Sequence, residues 1–122
     1  MSVKKVLVVD DSPTERHAIS EILRRAGFEV STCDSGEEAV SQAKALRPDL
    51  VLMDVVMPGL NGFQATRQLS RDEATKHIPV IICTTKSQET DKIWGLRQGA
   101  RDYVVKPVVA ADLLDKISRL DA

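Results

Sequence analysis

The chain has 122 residues, which allows one domain that buries roughly two thirds of its unfolded surface and leaves no room for a second. Its 17 basic and 18 acidic residues give a net charge of −1, which provides no electrostatic footprint for nucleic acid and no polybasic membrane anchor. The N-terminus, Met1-Ser2-Val3-Lys4-Lys5, leads into a short apolar run and then into acids, with neither a signal-peptide core nor a stretch able to span a bilayer, so a cytoplasmic protein without membrane insertion is expected.

Strand-like and helix-like segments alternate from end to end, without a linker, repeat or low-complexity tract. The first strand covers about Lys4 to Val9 and is closed by Asp10 and Asp11. Helix one follows, with Ser12 as N-cap, Pro13 at the first helical position and Glu15 completing a capping box; Ala18, Ile19, Ile22, Leu23 and Ala26 repeat at helical spacing and Gly27 stops it. The second strand, Phe28 to Cys33, alternates apolar and polar residues and reads as an edge strand. Helix two repeats the start signal with Ser35 and Glu38, turns Ala39, Val40, Ala43 and Leu46 inward, and ends at Pro48.

The third strand, about Asp49 to Met53, is a continuous apolar run closed by Asp54, and Val55-Val56-Met57-Pro58-Gly59 comes at once after it. A short helix three is expected from about Gly62 to Leu69. The fourth strand, Pro79 to Cys83, is again continuously apolar, with Thr84 just past it. Helix four, about Ser87 to Gln98, is expected to bury Ile93, Leu96 and Ala100 with Trp94 packed at the core's flank, although Gly95 in its interior costs about 1 kcal/mol against alanine. A fifth strand, Tyr103-Val104-Val105, is closed by Lys106. Helix five, about Ala110 to Leu120, turns Leu113, Leu114, Ile117 and Leu120 inward without a good N-cap. The rhythm predicts a doubly wound α/β sheet of five parallel strands and five helices. Cys33 and Cys83 read as buried apolar filler, and His17 and His77, with no metal-ligand spacing around them, as surface residues.

In an open parallel sheet the carboxyl ends of the strands share one edge, where ligands bind, so Asp10, Asp11, Asp54, Thr84 and Lys106 should converge. Each has a bland alternative: paired acids before a helix favour its dipole, and a lone lysine caps a strand in water. Their appearance at four strand tips, in the order acid-acid, acid, threonine and lysine-proline, is what argues for chemistry. Three carboxylates repel one another, and a hard divalent cation that keeps several waters suits such a sparse oxygen site. With the repulsion relieved, a carboxylate can attack phosphorus to form an acyl phosphate, while Lys106 and Thr84 bond the phosphoryl oxygens.

Val8-Val9-Asp10-Asp11-Ser12, Leu52-Met53-Asp54-Val55-Val56-Met57-Pro58-Gly59-Leu60-Asn61-Gly62, Ile81-Ile82-Cys83-Thr84-Thr85 and Tyr103-Val104-Val105-Lys106-Pro107 together resemble the receiver domain of bacterial two-component response regulators, of the single-domain chemotaxis type. Residues 62–69 and 84–92 resemble the regulators that control type IV pilus twitching motility. The resemblance implies a flavodoxin-like receiver fold with strand order 2-1-3-4-5 over residues 1–122 and Asp54 as phosphoacceptor. It also implies magnesium or manganese held by Asp11, Asp54 and the backbone carbonyl of Val56, with Asp10 acting through water. Thr84 and Lys106 would grip the phosphoryl group, and Tyr103 would rotate inward with Thr84 to reshape the face of helix four, strand five and helix five. The Lys106-Pro107 bond is cis in such relatives. Implied partners are a histidine kinase or its phosphotransfer domain and a protein target on that face, with the chain a monomer. Val56 and Lys86 stand where some relatives carry a polar residue and an acid, along the path of the hydrolytic water.

A phosphatase of the haloacid-dehalogenase type is the enzymatic rival, but it needs a second acid two residues after its nucleophile, and Val56 stands there. A phosphate-independent interaction module would be expected to have lost an acid or the lysine. A transcription factor's receiver would be expected to continue past Ala122 into an effector domain.

Overall fold

The computed structural model describes residues 3–55, 57, 59–85 and 89–120. Within them ten elements alternate: β1 Lys5–Val9, α1 Pro13–Arg25, β2 Glu29–Cys33, α2 Gly36–Leu46, β3 Leu50–Asp54, α3 Gly62–Arg71, β4 Val80–Thr85, α4 Glu89–Arg97, β5 Asp102–Lys106 and α5 Ala110–Leu120. All strand pairs are parallel and the order is β2-β1-β3-β4-β5, the flavodoxin-like arrangement. The alternating strand β2 lies at an edge, as its pattern predicts.

Successive side chains of a strand point to opposite faces, and this sorts the core into two layers. Val6, Val8, Leu50, Leu52, Ile81 and Val104 meet α1 and α5 through Ile19, Leu23, Leu113 and Ile117. Leu7, Val9, Val51, Met53, Val80 and Ile82 meet α2 and α3 through Ala39, Ala43, Ala65 and Leu69. Cys33 and Cys83 are buried free thiols, and burial pushes them up to about 11 and about 12. His17 and His77 are exposed.

Gly27 stops α1 as expected, while other helix ends depart from the sequence expectation. Gly27 and Gly99, at φ of 95° and 110°, close α1 and α4 with an N–H one residue further on that donates back five residues, Phe28 to Leu23 O and Ala100 to Gly95 O. The full reciprocal capping box belongs to α3, where Asn61 and Gln64 exchange two 2.9 Å bonds. In α1 only half of it forms: Glu15 N–H donates to Ser12 Oγ, but the Ser12 N–H donates to Asp10 Oδ1 instead of to Glu15.

The largest correction concerns α4. Ile93, Trp94 and Leu96 are about half exposed rather than buried, and Ala100 alone of the expected residues is inside. Gly95 faces the sheet, so close to Ile82 that any Cβ would overlap its Cδ1; the helix sits on its smallest residue and its bulky ones turn to solvent. Smaller misses have the same origin: Ala18, Ala26 and Leu46 lie at the solvent edge of their helical stripes. Ser87, the expected start of α4, lies outside the described residues.

Candidate functional site

The strand tips do converge. Asp10 follows β1, Asp54 ends β3, Thr84 lies within β4 and Lys106 ends β5, each at the carboxyl edge of the sheet. Strands β4 and β5 run slightly further than their apolar runs, because the register Thr84↔Val105 and Thr85↔Lys106 extends the ladder beyond the last apolar pair. The loop after Asp54 is held against the start of α3, where the Gly62 N–H donates to Val55 O. A Cβ on Gly62 would overlap the Asp54 carbonyl oxygen, so only glycine allows that approach.

Lys106 is the hub. Its Nζ lies 2.7 Å from Asp54 Oδ1, 3.1 Å from Asp10 Oδ2 and 2.6 Å from Glu15 Oε2. Asp10 and Asp54 are nearly inaccessible; the ammonium is the main compensation for Asp54, while Asp10 is compensated by the Ser12 N–H and the ammonium together. Burial pushes the Asp54 carboxyl up to about 6; Lys106 pulls it down, and Asp10 and Asp11 push it further up. Burial also raises Asp10, against the pull of the Ser12 N–H and Lys106. Burial disfavours the charged form of Lys106 too, but its bonds to Asp54 and Glu15 outweigh this and hold it above the ordinary lysine range.

Asp10, Asp11 and Asp54 each offer a carboxylate oxygen within 4.8 Å of the others. Hard oxygen donors at that spacing fit magnesium or manganese, which take one or two carboxylates and complete their shells with water. Asp10 has committed one oxygen to Ser12 and the other to Lys106, whereas Asp11 is exposed. Thr84 Oγ1 is buried and, among the described residues, has no hydrogen-bond partner, which in a native site calls for a ligand or water. Val56 and Lys86 lie outside the described residues.

Tyr103 sits half-buried on β5 with its ring between two ammonium groups, Lys92 of α4 at 4.8 Å and Lys116 of α5 at 4.4 Å from its centroid. Lys116 also bonds the Tyr103 carbonyl at 2.9 Å. The expected site and the face formed by α4, β5 and α5 therefore share strand β5, with Lys106 at one end and Tyr103 three residues before it.

Glu15 is the member of the pocket that sequence reasoning assigned elsewhere. Serine followed three residues later by glutamate spells a capping box, yet an aspartate two residues before the serine competes for its N–H through an Asx-type turn. That competing signal is legible in Asp10-Asp11-Ser12, and it frees Glu15 for Lys106. The Lys106-Pro107 bond is cis.

Residues 6–118 match the response regulator receiver domain, and the chain belongs to that family of phosphorylation-dependent signalling modules. It is 56% identical to Protein PilH of Pseudomonas aeruginosa over 114 residues, 93% of this chain and 94% of that protein. Chemotaxis protein CheY4 of Vibrio cholerae superposes with a TM-score of 0.88 at 35% identity, covering 97% of this chain and 98% of that one. The receiver domain of a sensor histidine kinase from Pseudomonas aeruginosa, solved with a magnesium ion in its active-site cleft, has a TM-score of 0.88 at 32% identity and 97% coverage of both chains. The chain spans about half the length of the DNA-binding response regulators it matches. No helix among the described residues is long and apolar enough to cross a membrane.

Proposed function

We propose that residues 1–122 form a single receiver domain that works as a phosphorylation-activated switch, taking a phosphoryl group onto Asp54 from a histidine kinase or its phosphotransfer domain. The observation that carries this reading is the Lys106 ammonium 2.7 Å from Asp54 Oδ1, together with a buried Thr84 hydroxyl that has no hydrogen-bond partner among the described residues. An Asp54 oxygen attacks phosphorus as the donor's P–N bond breaks, and the histidine leaves with the electron pair and takes up a proton. Lys106 and Thr84 then bond the phosphoryl oxygens. Asp11, Asp54 and the Val56 carbonyl would hold magnesium or manganese, with Asp10 acting through water, and the ion would supply positive charge to offset that of the carboxylates and the phosphoryl group. The commitment of both Asp10 oxygens to Ser12 and Lys106 supports that division of labour.

The domain is a switch rather than a conventional enzyme, since Asp54 is itself modified and returns to a carboxylate only when water attacks phosphorus. The signal passes from Thr84 on β4 and Lys106 on β5 to Tyr103, whose ring lies between α4 and α5, so that face meets the protein target. The likeness to PilH supports a place in a chemotaxis-like or twitching-motility pathway; the chain is read as a cytoplasmic monomer, and its net charge of −1 supports the reading that it binds no nucleic acid. Draining phosphate from a shared kinase is the second use of the same chemistry. The experiment is incubation with acetyl phosphate, with and without magnesium, followed by intact mass. One added phosphoryl group that requires magnesium and is lost in Asp54→Asn is expected; equal labelling of that variant overturns the assignment, and steady turnover of a generic phosphate ester would instead indicate a phosphatase.

A further inference from the structure

Glu15 reaches Lys106 from helix α1 and has no part in the chemistry set out above. Its Oε2 is 2.6 Å from Lys106 Nζ, at least as close as Asp54 at 2.7 Å or Asp10 at 3.1 Å. An ammonium has three N–H donors, so the three carboxylates take all of them. They are not equivalent, because the Glu15 side chain is 46% exposed while those of Asp10 and Asp54 are 1% and 7% exposed. A small apolar slot of about 110 Å³, lined by Ala18, Ile19, Ile22 and Val108, flanks the pair, and the Lys106 side chain is itself only 13% exposed. The attraction there is stronger than between two groups on an open surface.

A phosphoryl group on Asp54 changes this balance. The carboxylate becomes an acyl phosphate, its bridging oxygen loses most of its acceptor strength, and a group of nearly two negative charges arrives beside Lys106. To bond that group, Lys106 must redirect its donors. Glu15 holds one of them from the α1 side and adds a negative charge that repels the newcomer. We propose that Glu15 is a positioning residue that anchors Lys106 in the unphosphorylated site and competes with the phosphoryl group for its ammonium, so that it slows phosphorylation of the domain. The proposal rests on the reading of Asp54 as phosphoacceptor.

The test follows acetyl phosphate labelling by intact mass over time, in magnesium, for the parent, Glu15→Gln, Glu15→Asp and Asp54→Asn. Glutamine keeps the shape and removes the charge; one charge a few ångströms from the phosphoryl group in a partly screened setting corresponds to labelling about three- to tenfold faster than the parent at low salt. Raising the ionic strength to about 1 M should shrink that ratio toward unity, which a merely structural role would not do. Glu15→Asp keeps the charge but draws it back by one methylene, and should label at a rate between the two, which leaves a measurement if the glutamine variant folds poorly. Equal or slower labelling of Glu15→Gln, or a ratio indifferent to salt, overturns the proposal while an unlabelled Asp54→Asn leaves the phosphoacceptor standing. Labelling of Asp54→Asn at the parent's rate overturns both.

Discussion

The pocket around Lys106 and the outer face of α4 break the usual sorting of residues in opposite directions. In the pocket, charged groups are inside: Asp10 is 1% and Asp54 5% exposed. On α4, apolar groups are outside: Ile93 is 55%, Trp94 51% and Leu96 46% exposed. The first exception is stabilised by pairing, three carboxylates to one ammonium, and loss of the ammonium leaves the buried carboxylates uncompensated. The second is stabilised by close approach, since Gly95 lets the helix lie against Ile82 while its large residues find no place inward. One region thus depends on charge and the other on shape, and substitutions should separate them.

The largest effect is expected where shape and charge meet. Gly62→Ala places a Cβ on the Asp54 carbonyl and the Val55 backbone, which cannot move aside cheaply, whereas Gly95→Ala meets the tip of the Ile82 side chain. Urea unfolding should give a loss of about 3 kcal/mol for Gly62→Ala, with phosphoryl uptake impaired as well. Gly95→Ala should lose about 1 kcal/mol, since part of the overlap is offset by better helix propensity. Equal losses would mean that the loop after Asp54 yields as readily as a side chain.

The second effect concerns charge. Burial raises Asp54 from 3.8 to about 6, so the folded protein holds that proton more tightly than the unfolded chain. Stability should therefore fall as pH rises from about 4 through about 6. In chelator at pH 7, Asp54→Asn should be more stable than the parent by about 2 kcal/mol, an advantage that disappears below pH 4. A parent that is the more stable protein at pH 7 would show that Lys106 outweighs the burial of Asp54. The smallest effect belongs to the other region: Ile93→Gln, at a half-exposed site, should change stability by no more than about 0.5 kcal/mol. A loss above 1 kcal/mol would mean that this face of α4 is covered in solution.

Much of the fold and of the candidate site is legible in the sequence, for identifiable reasons. Strands β1, β3 and β4 declare themselves as apolar runs because both sheet faces are covered, and the residues that close them, Asp10, Asp54 and Thr84, fall at one edge by the geometry of parallel strands. Gly27 and Pro48 mark helix ends through backbone sterics. Helix α4 was misread because helical spacing reports that apolar residues share a face but not which face the sheet will accept, and the sheet took the glycine.

Local signals act over a turn of helix or a few residues of strand, and these the sequence determined by itself: the alternation of elements, the stops at Gly27 and Pro48, the parallel sheet, and the set of residues at its carboxyl edge. The tertiary structure decided what those residues do to one another. Lys106 meets Asp54 across 52 positions, Glu15 across 91 and Asp10 across 96, and no local pattern encodes which of its three donors each receives. The raised carboxyl of Asp54 and the outward turn of Ile93 and Trp94 share this origin. Each depends on desolvation and contact at a distance, and those exist only once the sheet has brought remote segments together.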